Sequence, residues 1–267
     1  MRKRRLEMCV ESVDCAVVAE RGGAHRIELC SNLAVGGLTP VPEMMRTTRR
    51  CVSVPIFVMI RPRAGDFRYT VAEFDSMHHQ IATAKQLGMD GIVLGILDPQ
   101  NRIDVERTRV LVDQARPLPV TFHRAFDESF DPERGLESVI QAGAQRILTS
   151  GGREDATSGV RALSELIRKA AGRVTIMPGG GVNENNVAHI LRLTSAREVH
   201  SSLGGFEAAA ILERRRTAQF TEAAVNRDWD TFQQRVRKLV DAIESLDKDS
   251  ESGFTGDHAD PNWNGGS

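Results

Sequence analysis

Two cysteines and two glutamates near the start of the chain are the residues best suited to chemistry. Glu7 and Cys9 belong to one short apolar run, and Glu28 and Cys30 belong to the next. Because side chains alternate between the two faces of a strand, each glutamate shares a face with the cysteine two residues later. If the two runs form neighbouring strands, about 4.8 Å apart, two thiols and two carboxylates converge on one patch.

The thiol pair Cys9 and Cys30 predicts a Cu(I) site, because thiolates are soft ligands that suit this ion. The alternative is that both cysteines are buried and act as small hydrophobic residues. A structural zinc ion would require four ligands, and the sequence offers no obvious third and fourth. Sulfur atoms within about 4 Å of each other would favour copper, since metal–sulfur bonds are about 2.3 Å long.

The glutamates Glu7 and Glu28 are unusual because acidic residues inside apolar strands are seldom buried without a partner. Arg61 and Arg63 share a face on the third apolar run and its continuation, where they could reach Glu28 and neutralise it. Two interpretations stay open. The glutamates form an ion-pair network, or they lie on the floor of a polar pocket where Glu7, Glu28 or His123 acts in proton transfer.

A second group of polar and glycine residues follows the later apolar runs and predicts a pocket for a small anion, in particular a phosphorylated one. Glycine-rich loops free backbone N–H groups to hold an anion, although simple tight turns would use the same residues. His123 and His200 follow their runs at the same height and could be acid–base groups or metal ligands. The predicted anion-binding residues are Arg61, Arg63, Asp66, Arg124, Asp127, Ser150, Gly151, Gly179, Gly180, Gly181, His200, Ser201 and Ser202.

The elements that must position these residues form a regular alternation. Each apolar run ends in a polar or glycine-rich cluster and gives way to a helix-like stretch; the runs are 6–10, 26–30, 56–60, 91–94, 119–123, 146–149, 174–177 and 198–200. This alternation over 267 residues predicts a single α/β domain, a (β/α)₈ TIM barrel over 1–246, whose chemistry lies at the carboxyl ends of the strands. An open doubly wound sheet would need a phosphate-binding fingerprint after the first strand, and none follows it.

The last part of the chain is less regular. Apolar residues at helical spacing predict a closing helix over 229–246. The stretch 206–227 is rich in Ala and Arg, and is predicted to be either an inserted helix or an ordered loop. The Asp, Ser, Gly and Asn content of 247–267 predicts a disordered C-terminal tail.

Composition limits the classes of partner. The formal net charge of −1 favours neither nucleic acid nor an anionic membrane, and no stretch reaches the ~20 apolar residues of a membrane helix. Four cysteines without a C-x-x-C pair, and no signal peptide, predict free thiols in a reducing, cytoplasmic compartment. The basic start, 1–5, is either a solvated end or a nuclear address.

Eight motifs in colinear order resemble the CutC copper homeostasis family, and together they are specific although each alone is short. They are EMC at 7–9, GGAHRIELC at 22–30, GGLTP at 36–40, MIRPRAGDF at 59–67, PVTFHRAFD at 119–127, LTSG at 148–151, MPGGGV at 177–182 and EVHSS at 198–202. The family commonly continues with Arg-Asn and Ser-Met-Gly elements. This chain instead reads LGGFEAAAILERRR over 203–216.

The resemblance implies a (β/α)₈ barrel that is a homo-oligomer and is cytosolic, or also nuclear in some eukaryotes. It also implies binding of monovalent copper, carried here by Cys9 and Cys30 because both match the family motifs. It attaches no firm reaction, so whether the protein is an enzyme stays open. The alternative function is a TIM-barrel enzyme that acts on a small anionic, phosphorylated substrate.

Overall fold

The structure is a computed structural model that describes residues 3–203 and 222–252, and in these residues eight strands alternate with eight helices. The strands are β1 (Arg5–Val10), β2 (Arg26–Leu29), β3 (Ile56–Met59), β4 (Gly91–Leu94), β5 (Val120–Phe122), β6 (Arg146–Thr149), β7 (Thr175–Pro178) and β8 (Glu198–Ser201). The helices are α1 (Val13–Arg21), α2 (Pro42–Cys51), α3 (Val71–Gln86), α4 (Val105–Ala115), α5 (Pro132–Ala142), α6 (Val160–Ala170), α7 (Val187–Thr194) and α8 (Glu222–Ser252).

All strands are parallel, and each of the eight predicted runs forms one of them. Their order is β7-β6-β5-β4-β3-β2-β1-β8, so the sheet curls into a nearly closed barrel with β7 and β8 as its terminal strands. The predicted TIM barrel is confirmed. In the register of β1, Glu7 lies opposite Arg26 of β2 and His200 of β8, and Cys9 lies opposite Glu28.

Alternation along β1 separates two layers of side chains. Leu6, Met8 and Val10 belong to the large apolar core that the helices cover. Cys9 instead belongs to a small cluster inside the barrel, made of Cys9, Cys30, Phe57, Met59 and Val93. Cys9 therefore faces the barrel interior, while the alternate residues of β1 pack between the sheet and the helices.

A network of buried ion pairs fills the barrel interior next to this cluster. Arg26 donates from Nε to a Glu7 carboxylate oxygen, and from Nη2 to Glu198 Oε2 at 2.6 Å. Arg146 donates to both oxygens of Glu198, at 2.6 and 3.0 Å. Both guanidinium groups lie over the ring of Phe57, at 4.7 and 5.4 Å from its centroid.

This network spans the gap between the terminal strands of the sheet. The pair between Arg146 and Glu198 joins β6 to β8, and Arg26 Nη2 also approaches Met177 Sδ of β7 at 3.4 Å. Side chains therefore connect the strands at the one place where the described backbone ladder stops.

Burial alone would raise the pKa of Glu7, but Arg26 and His200 lower it to about 2. Glu7 thus stays ionised within the network.

The closing helix α8 packs on the barrel through its predicted apolar face, because Phe232, Val236, Leu239, Val240 and Ile243 are all buried. It is longer at both ends than the expected 229–246. The stretch 206–227 is predicted as either an inserted helix or an ordered loop; residues 222–227 are helical and belong to α8, and 206–221 lie outside the described residues.

The predicted tail begins inside α8, which continues to Ser252. Asp247 is held there because its carboxylate accepts hydrogen bonds from the backbone and side chain of Arg4, with the backbone bond at 2.8 Å. Residues 253–267 lie outside the described part of the chain. Among the described helices, none combines the length and apolar character needed to cross a membrane.

Arg26→Met should destabilise the protein by about 3 kcal/mol or more, because removing one partner of a buried ion pair leaves an uncompensated charge on the other. The control is Arg109→Met, which breaks an exposed pair with Glu106 on α4 and should cost less than about 1 kcal/mol. Urea unfolding followed by circular dichroism measures both values. Equal losses in the two variants would contradict a special role for the network.

Candidate functional site

A cavity of about 410 Å³ opens at the carboxyl ends of the strands, where the TIM barrel predicts the chemistry. Predicted site residues supply much of its wall, namely Cys9, Glu28, Arg61, His123, Arg124, Asp127, Gly180, Gly181, His200, Ser201 and Ser202. Other predicted residues do not line it: Glu7, Cys30, Arg63, Asp66, Ser150, Gly151 and Gly179. Glu7, Cys30 and Ser150 nevertheless contact lining residues directly.

The two thiols meet at one side of the cavity. Cys9 Sγ lies 3.6 Å from Cys30 Sγ and donates to Glu28 Oε1 at 3.2 Å. The parallel pairing of β1 with β2 places Cys9 opposite Glu28, and Cys30 follows β2 directly. The sulfur separation is below the 4 Å limit that favours a shared metal ion, because two ~2.3 Å bonds span up to about 4.6 Å.

Gly37 allows the loop after β2 to cover this thiol pair. Its φ is +86°, a conformation that L side chains rarely adopt, and a Cβ there would lie 3.2 Å from Cys30 Cβ. Cys30 is fully buried beneath this loop, whereas Cys9 lines the cavity. A ligand entering from the cavity therefore meets Cys9 first.

His200 joins Cys9 and Glu28 in a cluster whose potential ligand atoms all lie within 4.8 Å of one another. His200 Nδ1 pairs with Glu7 Oε1 at 2.8 Å, which leaves Nε2 for a ligand. Among the described residues, the buried Glu28 Oε2 has no hydrogen-bond partner. The sequence predicts His200 as an anion-binding residue and, as an alternative, as an acid–base group or metal ligand, but it does not place His200 beside Cys9 and Glu28; the adjacency of first and last strands in a closed barrel would have indicated that position.

The ionisation of this cluster follows from burial and close contact. The contact with Cys30, together with burial, raises the pKa of Cys9 well above its usual value. Burial also raises the pKa of Glu28. For His200, burial acts to lower the pKa, but the Glu28 and Glu7 carboxylates outweigh it and the pKa is raised. Without a metal ion, the thiol of Cys9 is protonated at neutral pH.

Neither Arg61 nor Arg63 neutralises Glu28, as the sequence suggested they could. Arg61 bonds instead to backbone carbonyls of the neighbouring loops, with Val35 at 2.7 Å and Gly65 at 2.8 Å. Arg63 points to the surface; its partners are Asp66 at 2.8 Å and Glu73 at 2.6 Å. Arg61 therefore orders the loops after β2 and β3, and Arg63 pairs with carboxylates near the surface. Neither guanidinium group balances the buried Glu28.

Across the barrel from the thiols, Asp127 joins the loops after β5 and β6. Its carboxylate accepts from the backbone N–H groups of Ser150 and Gly152 at 3.0 Å, from the hydroxyl of Thr149, and from Arg124 Nε at 2.8 Å. Arg124 Nη2 also donates to Ser150 Oγ at 3.1 Å. Asp127 is thus fully used as an acceptor, and it fixes the direction of Arg124.

Some of the remaining predicted loop residues hold the loops together, and others line the cavity. Gly151 N–H donates to Thr149 Oγ1 at 2.9 Å. Gly179 N–H donates to the backbone of Thr149 at 3.0 Å, and a Cβ on Gly179 would lie 2.4 Å from Leu148 Cδ1. The Ser201 hydroxyl donates to the Val182 carbonyl at 2.6 Å. Gly180, Gly181 and Ser202 remain on the cavity wall.

His123 is buried on the cavity wall and accepts at Nδ1 from the backbone N–H of Ala125 at 3.2 Å. Its ring lies 4.8 Å from the ring of Phe67. Among the described residues, its Nε2 has no hydrogen-bond partner. Burial, reinforced by the charge of Arg61, lowers the pKa of His123 to about 3. The imidazole is therefore neutral at physiological pH.

Two solved structures show how widely this architecture occurs. A CutC crystal structure from Streptococcus agalactiae matches with a TM-score of 0.71 and 32% identity over 74% of this chain and 98% of that chain. The thiamine phosphate pyrophosphorylase of Pyrococcus furiosus matches with a TM-score of 0.58 but only 14% identity, over 92% of this chain and 98% of that chain. The second likeness shows the fold alone.

Sequence relatives agree with the first structure. A human protein named copper homeostasis protein cutC homolog is 47% identical over 74% of this chain and 72% of its own length. A protein of Chromobacterium violaceum, named as a CutC family protein, is 40% identical over 90% of this chain and 98% of its own length. The model of the CutC family matches residues 4–205, which include the whole barrel wall and every predicted site residue. This chain belongs to the CutC family.

Proposed function

We propose that this protein binds one Cu(I) ion through the thiolates of Cys9 and Cys30 and takes part in copper homeostasis. The observation that carries the proposal is the 3.6 Å separation of the two sulfur atoms inside the barrel. Names of the relatives support the copper role, since the human and mouse relatives are named copper homeostasis proteins.

The donor set suits a soft monovalent ion. Two sulfur donors are adjacent, and Cu(I) prefers thiolate ligands. His200 supplies an imidazole nitrogen within the same cluster, and imidazole is also a good copper ligand. Glu28 Oε1 accepts a hydrogen bond from the Cys9 thiol at 3.2 Å, so this carboxylate can receive the thiol proton when the metal binds and pass it on to solvent. Binding therefore releases protons, as expected for ligands that must be deprotonated.

The ion pair between Glu7 and His200 orients the imidazole toward this site. Because Glu7 engages Nδ1, Nε2 is the nitrogen available to a metal, an arrangement common for metal-binding histidines. Glu7 is therefore proposed as a positioning residue and not as a base. The predicted domain limits 1–246, the cytoplasmic or nuclear location and the homo-oligomeric state remain predictions; sedimentation analysis tests the last of these.

The double variant Cys9→Ala, Cys30→Ala should lose Cu(I) binding, since it removes both sulfur ligands. A matched control, Cys15→Ala with Cys51→Ala, removes the other two thiols of the chain, which are not near the cavity. Titration under anaerobic conditions against a chromophoric Cu(I) chelator measures the stoichiometry, with one ion per chain expected in wild type and control. Unchanged stoichiometry in the Cys9, Cys30 variant would reject the proposal.

His200→Gln should retain one Cu(I) per chain, held by the two thiolates, but bind it at least about 10-fold more weakly, because a ligand is lost and even changes around a ligand cost about 10- to 100-fold. His189→Gln on the exposed side of α7 serves as the control and should bind like wild type. Competition with the same chelator measures the affinities, and X-ray absorption reports whether a nitrogen ligand is lost. An unaltered affinity in His200→Gln would leave the thiols as the only ligands.

A further inference from the structure

We propose that the side of the cavity across from the thiols binds the phosphate group of a small organic phosphate, with His123 and Arg124 as hydrogen-bond donors. This site is separate from the copper ligands, because none of its donors belongs to the cluster of Cys9, Glu28 and His200. It deepens the function of the cavity without depending on copper binding.

The first observation is the tautomer of His123. Nδ1 accepts a hydrogen bond from the backbone of Ala125, and a neutral imidazole has one donor and one acceptor nitrogen. Nε2 therefore carries the proton, yet it is buried and, within the described residues, meets no acceptor. Burying a donor without an acceptor is unfavourable. His123 lines the cavity, so a ligand oxygen bound there can supply the missing acceptor.

The position of this donor is rigid. Phe67 covers one side of the His123 ring at 4.8 Å, and Arg61 in turn lies over Phe67 at 4.7 Å. On another side the ring passes so close to Gly95 that a Cβ there would lie 2.6 Å from it. Since the imidazole stays uncharged at neutral pH, it acts as an oriented donor, a role that neutral histidines can serve toward ligand oxygens.

The second observation is the guanidinium of Arg124. Asp127 holds its Nε and Ser150 holds its Nη2, whereas Nη1 has no acceptor in the described part of the chain. This free nitrogen faces the glycine loop after β7, since a Cβ on Gly180 would lie 3.2 Å from it. A guanidinium whose Nε and Nη2 are held in place and whose Nη1 can still donate suits an oxyanion such as phosphate.

The glycine loop supplies a third set of donors. Gly180 and Gly181 have φ values of +96° and +68°, and their N–H groups donate no backbone hydrogen bond within the described residues. Successive free N–H groups of this kind form an anion-binding concavity, and in TIM barrels the loops after the seventh and eighth strands often bind phosphate. Three kinds of donor therefore belong to residues that line this cavity.

The size and lining of the cavity favour an ester over the free ion. Its volume of about 410 Å³ exceeds what a single phosphate fills, and apolar side chains of Leu33, Met59 and Phe67 form part of its wall. Such a mixture is typical of pockets for small organic ligands. Acidic residues near the donors are Asp127, which Arg124 and the loop N–H groups satisfy, and Glu128 at the rim.

Calorimetric titration of the metal-free full chain with glycerol 3-phosphate, and separately with inorganic phosphate, tests the site. Wild type should bind one equivalent of the ester, and Arg124→Gln and His123→Asn should weaken binding at least about tenfold, the usual effect of losing a hydrogen bond to a charged group. Arg168→Gln, which removes an equal charge from the outside of α6, should bind like wild type. Asn at 123 retains an acceptor for the Ala125 N–H, and circular dichroism verifies that each variant folds.

The outcomes separate the possible ligands. Tighter binding of the ester than of inorganic phosphate indicates an organic phosphate, and equal binding indicates phosphate itself. No binding by wild type, or equal binding by all the variants, would overturn the proposal. The Cys9→Ala, Cys30→Ala variant should bind the ester as wild type does, because the phosphate site uses neither thiol. The phosphate proposal can therefore be tested whether or not the protein binds copper.

Nitrogen-15 NMR of the histidine rings measures directly which nitrogen of His123 carries the proton. The only variant it needs is His123→Asn, to assign the signals. The His123 signals should show a protonated Nε2 and an unprotonated Nδ1, and they should not titrate between pH 8 and pH 5, because the pKa of about 3 lies below that range. Adding glycerol 3-phosphate should shift the Nε2 proton. A protonated Nδ1, a titration within that range, or an unmoved proton signal would contradict the proposed donor.

Discussion

The buried ion pairs among Glu7, Arg26, Glu198 and Arg146 are the constraint on which the rest of the barrel depends. They join β1, β2, β6 and β8 and cross the gap beside β7, where the described backbone ladder stops. Each charge has lost most of its water, so each must keep its partner. The strands that bear these residues are therefore held in one register, and the apolar layers outside the sheet pack around that arrangement.

The same network reaches the functional site through Glu7. One carboxylate oxygen of Glu7 pairs with Arg26 and the other with His200. The direction of His200 toward Cys9 and Glu28 is thus set by charges beneath the cavity. On the far side, Asp127 does the same for Arg124 through its hydrogen bonds to the loop after β6. In each half of the cavity, a carboxylate that is already engaged by protein donors fixes the direction of a neighbouring side chain.

Much of this arrangement is predictable from the sequence because it depends on local periodicity. Eight apolar runs of strand length, each followed by a helix, lead to the barrel and place the polar clusters at one end. Alternation within two successive strands brings Cys9 and Cys30 to one face, and the sulfur separation of 3.6 Å agrees with that expectation. The family motifs are also local, so they identify the CutC family without any knowledge of long-range contacts.

What the sequence determined by itself, then, was the number and order of the elements, the family and the thiol pair. The partners of the charged side chains depend on long-range contacts in the folded barrel. Arg61 bonds to loop carbonyls and not to Glu28, while Glu7 pairs with Arg26 and with His200 at the other end of the chain. The physical reason is that a long charged side chain can reach many acceptors, and closure of the barrel, not local periodicity, determines which of them lie within hydrogen-bonding distance.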